Sequence, residues 1–182
     1  MWKNRGEDVY SRLMKYTPYE DPNWDGKVAI NFGYAVAGWI SLWISNTAFL
    51  QNISIHLSNY DDPFEELEKW LEAICSGQST GQFCIDEEGT VVTLRFIRLG
   101  PDLLDFQVVD GYGEHDRERD ILIRCRVSAK QLVQEFIFKL DLFIHHYYDW
   151  DEWLIEEFDF KKFDSYINSD DELLSPSAPP TE

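Results

Sequence analysis

Residues 28–60 read VAINFGYAVAGWISLWISNTAFLQNISIHLSNY and contain no Asp, Glu, Lys or Arg. Apolar residues alternate with small or polar ones from Val28 to Tyr34, again from Trp39 to Ser45, and a third time from Asn52 to Leu57. This period of two is typical of half-buried strands, and three such runs joined by short polar links favour an antiparallel meander. Because the period is not helical and polar residues recur throughout, the segment is not a transmembrane helix.

The middle run places two tryptophans on one side of its strand. Side chains in a strand alternate between its two faces, so Trp39 and Trp43 share a face with Ser41. Either a helix covers that face, or the two rings form part of a contact surface. On the second interpretation, Trp39 and Trp43 are candidate partner-binding residues.

Turn and capping signals organise the next part of the chain. Asp62 and Pro63 form a strong helix start, and Gly77 is the residue at which that helix is expected to end. Polar and glycine-containing links then separate four further predicted strands, at 83–86, 91–99, 103–109 and 121–127.

Two helices are predicted after the last strand. Ser128 begins a capping box for a long helix that runs to Ile144. Asp149, with Glu152 three residues later, begins another helix, which carries Trp150, Trp153, Leu154 and Phe158.

Strands come mostly first and long helices last, so the predicted class is α+β. We expect a mostly antiparallel sheet of about six to seven strands packed with one inserted helix and two C-terminal helices. Residues 1–24 are interpreted as an N-terminal extension, 25–168 as a single α+β domain, and 169–182 as a flexible acidic tail rich in Pro and Ser.

The charge balance restricts the class of partner. The 182 residues carry a formal net charge of −18, and residues 141–182 contain twelve acids against only Lys161 and Lys162. Such acidity disfavours direct contact with nucleic acid or with a membrane surface and favours a basic protein partner. The hydrophobic fraction of 44% and the aromatic fraction of 15% argue strongly against intrinsic disorder.

The cysteines and the N-terminus favour a cytoplasmic location. Cys75, Cys84 and Cys125 are odd in number and widely spaced, so we expect reduced thiols packed as small apolar residues. Charges occupy the first eight residues, where a signal peptide needs an apolar core.

Several groups of residues could carry chemistry, but none forms a coherent catalytic set. The G-x-S-x-G pattern at 77–81 follows a helix and precedes a strand, which is the reverse of the order that a nucleophile elbow requires. The acids at 86–88 are typical of a hydrated hairpin tip, and His145 and His146 lack a second pair of ligands at a recognisable spacing. The arginines between 95 and 126 favour internal ion pairing over a basic face. We therefore predict no enzymatic activity, no metal and no cofactor.

The last predicted helix carries an acidic stripe. Asp149, Glu152, Glu156 and Asp159 follow one another at helical spacing, with Trp153 beside them. Like charges at this spacing weaken a helix unless a cationic partner lies against them. The stripe is therefore either a partner-binding surface or a solvated face, and on the first interpretation these five residues bind the partner.

Several segments together resemble the WapI-type immunity proteins of bacterial polymorphic toxin systems. The resemblance rests on five segments: Ile53–Ser58, Asp62–Phe64, Trp70–Ile74, Phe83–Gly89 and Val127–Phe143. It implies a cytoplasmic, non-catalytic protein that blocks a toxin by binding to it.

The combined expectation is an acidic, non-catalytic immunity or inhibitor protein that neutralises a toxin or effector by direct protein–protein binding. One alternative is a phage or plasmid counter-defence protein whose acids stand in for DNA phosphates. Another is an accessory subunit of a bacterial defence complex.

Overall fold

The computed structural model describes residues 27–46, 51–59, 63–111, 120–146 and 158–169. The fold is α+β, which confirms the predicted class, and seven strands lie within the described residues. In chain order the elements are β1 (Val28–Val36), β2 (Trp39–Asn46), β3 (Gln51–Ser58), α1 (Pro63–Cys75), β4 (Thr80–Asp86), β5 (Val91–Gly100), β6 (Leu103–Gly111), β7 (Asp120–Ser128), α2 (Ala129–His146) and α3 (Lys161–Ile167).

The strands form two sheets, a division that the sequence pattern did not indicate. The first has the order β1-β2-β3 and the second β4-β5-β6-β7, and every pairing within them is antiparallel. Helix α1 comes between β3 and β4 in the chain, so these two strands are not joined by a hairpin.

The three-stranded sheet follows the alternation of the charge-free segment. Ile40, Leu42 and Ile44 of β2 are fully buried in the core. Ala37 and Gly38 join β1 to β2 with φ angles of 51° and 81°, the positive values that a tight two-residue hairpin turn requires. A bulge between Phe32 and Ala35 inserts one extra residue into β1.

Carboxylates from outside this sheet contact both of its outer strands. On β1, the Ile30 backbone N–H donates to Glu135 Oε1 of α2 at 3.1 Å. On β3, the His56 backbone N–H donates to Glu87 Oε1 at 2.6 Å. Glu87 lies in the turn between β4 and β5, so its side chain also ties the two sheets together.

Helix α1 buries the apolar stripe expected from its sequence, namely Phe64, Leu67, Trp70, Leu71 and Ile74. The helix ends as predicted at Gly77, which has a φ of +79°. The Gly77 N–H donates to the Ile74 carbonyl at 3.1 Å, and the Gln78 N–H donates to the Ala73 carbonyl at 3.1 Å. These bonds satisfy carbonyls that the end of a helix leaves without partners.

Helix α2 begins at the predicted cap, with help from a distant residue. Ser128 Oγ accepts from the Gln131 N–H at 3.1 Å, as a capping residue should. Asp102, in the turn between β5 and β6, accepts from the Ser128 hydroxyl at 2.6 Å and from the Lys130 N–H at 2.8 Å. The carboxylate therefore lies at the positive end of the helix dipole, where an anion is stabilising.

The C-terminal helix differs from the prediction. Phe158 and Asp159 are not helical, and α3 begins at Lys161, so the expectation of one helix from Asp149 through Phe158 is wrong at its end. The Phe158 ring lies 4.8 Å from the Phe160 ring and 5.8 Å from the Phe163 ring, measured between centroids. This aromatic packing fixes an irregular segment against the core, in place of another helical turn.

Two smaller expectations also need correction. Alternation along 121–127 predicts that Ile121 shares the buried face of Ile123 and Cys125, but an irregularity opposite Val108 and Val109 shifts the register, and Ile121 is 45% exposed. Cys84 is exposed, whereas Cys125 is buried and Cys75 is intermediate. The packing expected of all three thiols therefore does not hold for Cys84.

Candidate functional site

The outer face of the three-stranded sheet carries no Asp, Glu, Lys or Arg. Strand register places Asn31 beside Trp43 and Trp43 beside Ser54, with Ser41 beside His56 in the next row. We call this surface the Trp face, and its members are Ala29, Asn31, Gly33, Val36, Trp39, Ser41, Trp43, Ser45, Asn52, Ser54, His56 and Ser58.

The two tryptophans lie on this face as the alternation predicted. Trp43 is 38% exposed, so its ring is available at the surface. Trp39 is partly buried and meets the His56 ring edge-on, with 6.5 Å between centroids and an interplanar angle of 82°. His56 Nδ1 lies 3.2 Å from Glu87 Oε1, and this contact holds the imidazole beside Trp39.

Gly33 allows the Trp43 ring to lie flat on the sheet. A Cβ atom at Gly33 would be 2.6 Å from Trp43 Cη2 and 2.8 Å from Cζ3, which is far inside van der Waals contact. The neighbouring bulge in β1 adds local twist at this point. The position of the Trp43 ring on β2 therefore requires a glycine at position 33 of β1.

An open cavity of about 530 Å³ adjoins Trp43 where β1 meets α2. Its apolar lining comes from Trp43, Phe32, Phe143 and Leu142, and its polar lining from Asn31, Ser45, Asn52 and Lys139. Lys139 Nζ donates to Asn31 Oδ1 at 3.3 Å and lies 5.8 Å from the centroid of the Phe138 ring. We call this space the Trp43 cavity.

The composition of the Trp face is similar to that of protein interfaces. The cores of protein interfaces are depleted in charged residues and enriched in aromatic ones. Binding surfaces that combine Trp with Ser, Gly and Asn obtain rigid contact area from the rings and adaptable hydrogen bonds from the small polar groups. An uncharged face of this kind differs sharply from the rest of a chain with net charge −18.

The acidic stripe is described at one position only. Asp149, Glu152, Trp153 and Glu156 lie outside the described residues. Asp159 is exposed but not helical, so its predicted place in a helical stripe is wrong. Its backbone N–H donates to Glu68 Oε2 at 3.2 Å, and its Oδ1 accepts from the Lys161 N–H at 3.2 Å.

The segment that contains Asp159 is held against α1 by charge as well as by its aromatic rings. Lys162 Nζ contacts Glu68 and also lies 3.0 Å from Glu72 Oε1. Asp159 thus has a structural role at the start of α3, whatever it contributes to binding.

The other groups considered from the sequence lie on separate elements. Ser79 is exposed between α1 and β4, in the helix-then-strand order that was expected. Glu87 corrects the interpretation of a hydrated hairpin tip, because its side chain is only 18% exposed and bonds to His56.

His145 Nδ1 lies 2.9 Å from the Asp141 carbonyl oxygen, one turn earlier in α2. Within the described ranges, no group of three or more His, Cys, Asp or Glu residues could hold a metal ion.

The central arginines are used inside the fold. Arg124 forms two hydrogen bonds from Nε to the buried Asp105 carboxylate, at 3.0 and 3.2 Å. Arg95 Nε donates to Gln107 Oε1 at 2.7 Å, and Arg98 donates to the carbonyls of Ile74, Gln78 and Pro101. The predicted internal ion pairing is therefore confirmed at Arg124, whereas Arg95 and Arg98 bond to neutral groups and Arg117 and Arg119 lie outside the described residues.

Asn31, Asn52 and Lys139 belong to the site but were not singled out from the sequence. Alternation alone could have placed the two asparagines on the face of Trp43, since both occupy its side of the pattern. No sequence signal indicates Lys139, because the contact joins residues 108 positions apart.

Comparisons with protein-family models, with curated proteins and with solved structures found no match to this chain. None of the helices in the described ranges is long and apolar enough to cross a membrane.

Proposed function

We propose that this protein is a non-catalytic immunity or inhibitor protein, which neutralises a basic toxin or effector by binding it through the Trp face. The observation that carries this proposal is the uncharged outer face of β1–β3, with Trp43 exposed at its centre. The segments that resemble WapI-type immunity proteins support the same class of function.

On this proposal, the net charge and the Trp face contribute to binding in different ways. The net charge of −18 attracts a basic partner over distance and raises the association rate. The Trp face then supplies short-range contact, where buried rings contribute most of the affinity. An uncharged contact area avoids the cost of removing water from charged side chains when the two proteins meet.

A neutralisation assay tests the proposal. The toxin or effector encoded beside this protein is expressed in bacterial cells with the wild-type chain, and growth is recorded. The same experiment is repeated with Trp43→Ala, which should raise the dissociation rate by about 30-fold if the ring is an interface anchor. Leu99→Ala is the matched control, because Leu99 is 49% exposed but lies on β5 in the other sheet.

The two variants separate binding from folding. Thermal melts should show both to be folded, with protection of growth lost for Trp43→Ala alone. Failure of the wild-type chain to protect against any neighbouring toxin would overturn the proposed function. Full protection by a folded Trp43→Ala variant would show that the partner does not bind the Trp face.

Charge reversal tests the attraction over distance. Glu152→Lys with Glu156→Lys should lower the association rate and make it less sensitive to salt, because both changes reduce the negative charge that attracts a basic partner before contact. Asp159 is left unchanged, since its carboxylate bonds to the first N–H of α3. A wild-type association rate that does not vary with salt would contradict the role assigned to the acids.

A further inference from the structure

The Trp43 cavity differs from the rest of the protein in its charge. Its lining contains the ammonium group of Lys139 and no carboxylate. Two lysines elsewhere bond to acids, Lys69 to Glu65 and Lys162 to Glu72. Lys139 forms no ion pair with a carboxylate of the described residues, and its hydrogen-bond partner is the neutral Asn31.

The shape and the remaining lining restrict what could bind there. A volume of about 530 Å³ is within the range of small-ligand pockets. The exposed Trp43 ring and the 37% exposed Leu142 offer an apolar surface for a flat group. The amides of Asn31 and Asn52 and the Ser45 hydroxyl provide neutral donors and acceptors at the polar side.

We propose that the Trp43 cavity binds a monoanionic carboxylate carried on a flat apolar group, with the carboxylate at Lys139 and the flat group against Trp43. A single ammonium suits a single negative charge. A dianion such as a phosphate monoester would meet stronger repulsion from a chain of net charge −18 and would find one cation only. On α2, Glu135 lies one turn before Lys139, and its Oε1 accepts from the Ile30 N–H at 3.1 Å.

This chemistry has two possible sources, a free aromatic acid or the C-terminus of a polypeptide that ends in an aromatic residue. Neither requires that a toxin bind the Trp face, so the ligand site and the proposed function can fail separately.

The experiment is a titration followed by ¹H–¹⁵N NMR at the indole N–H of Trp43, assigned with a Trp43→Phe variant. Phenylacetate is compared with phenylacetamide, which has the same ring and no charge. A ligand of this size is expected to bind with a dissociation constant on the order of 1 mM. Phenylacetamide should bind at least about fivefold more weakly, because it loses the charge-assisted hydrogen bond to the ammonium.

Two lysine variants test whether the ammonium group of Lys139 binds the carboxylate. Lys139→Gln should weaken phenylacetate binding by about five- to tenfold and leave phenylacetamide binding unchanged. Lys161→Gln makes the same change in net charge at an exposed residue of α3 and should change neither affinity.

A second arm distinguishes the sources. The peptide acetyl-Gly-Gly-Phe with a free carboxylate binds more tightly than phenylacetate if the natural ligand is a polypeptide C-terminus, and more weakly if it is a free acid. Equal binding of phenylacetate and phenylacetamide to the wild-type protein would overturn the proposal. So would the absence of any shift of the Trp43 signal at tens of millimolar phenylacetate.

Discussion

Replacing Gly33 or Gly81 with alanine tests how an added methyl group affects stability when the neighbouring aromatic ring can move and when it cannot. Both glycines lie in strands, and a Cβ at either would be 2.6 Å from the edge of an aromatic ring on the adjacent strand. The ring beside Gly33 belongs to Trp43, which is 38% exposed, whereas the ring beside Gly81 belongs to Phe96, which is 1% exposed. The same close contact therefore involves the Trp43 ring, which can move into solvent, and the Phe96 ring, which cannot.

The two substitutions should differ in their effect on the free energy of unfolding. In Gly33→Ala the Trp43 ring tilts into solvent, and exposing roughly 50 Å² of it costs about 1 kcal/mol. Alanine recovers about 0.5–1 kcal/mol, because it has less backbone freedom to lose than glycine. The net change should be within about 1 kcal/mol. In Gly81→Ala the Phe96 ring has no open direction, so overpacking should cost about 2–3 kcal/mol after the same gain.

Urea unfolding measures both free energies, and the Trp43 indole N–H signal reports the ring directly. Gly33→Ala should shift that signal strongly while nearly preserving stability, and it should weaken whatever binds at the Trp face. Gly81→Ala should lower stability and leave the Trp43 signal in place. Equal losses of stability in the two variants would refute the argument from ring freedom, as would an unshifted Trp43 signal in Gly33→Ala.

Two further predictions concern other residues. Glu87→Ala should lower the free energy of unfolding, measured by urea denaturation, by about 1–2 kcal/mol, because the His56 N–H loses its acceptor. Replacing the exposed Glu88 by Ala should change it by less than about 0.5 kcal/mol, and equal effects would contradict the role given to Glu87. Cys84 should react with a disulfide reagent at pH 8 in the folded protein, while the buried Cys125 should react only after unfolding, because burial raises the pKa of its thiol to about 12 and leaves almost no thiolate. Similar modification rates for the two thiols, followed by mass spectrometry, would show that burial does not protect Cys125.

The parts of the fold that depend on local chemistry could be predicted from the sequence. Alternation placed β1, β2 and β3 because the neighbours of each strand are close in the chain and one face is buried. Gly77 and Ser128 identified a helix end and a helix start, since their hydrogen bonds join residues three to five positions apart. The shared face of Trp39 and Trp43 followed from the same local rule.

The parts that depend on distant contacts could not be predicted. The division into two sheets depends on a contact between distant residues. The His56 N–H, on the outer edge of β3, bonds to the Glu87 carboxylate and not to a neighbouring strand β4. The start of α3 at Lys161 accompanies ring packing among Phe158, Phe160 and Phe163, which the spacing of the acids did not indicate. The Asp159 side chain, which accepts from the Lys161 N–H, is a local signal that could have indicated this later start.

The carboxylates of Glu135 and Glu87 have a consequence for solubility. An outer strand of a sheet presents unpaired backbone groups, and proteins commonly place charges there to prevent another chain from adding a strand and starting an aggregate. Residues 28–60 contain no charge with which to do so. The protein instead brings one acid from α2 to Ile30 and one from the β4–β5 turn to His56, so that each outer strand of the charge-free sheet carries an anion on its backbone. The protection against aggregation is therefore assembled only on folding, and the same segment is exposed to self-association until α2 and the β4–β5 turn are in place.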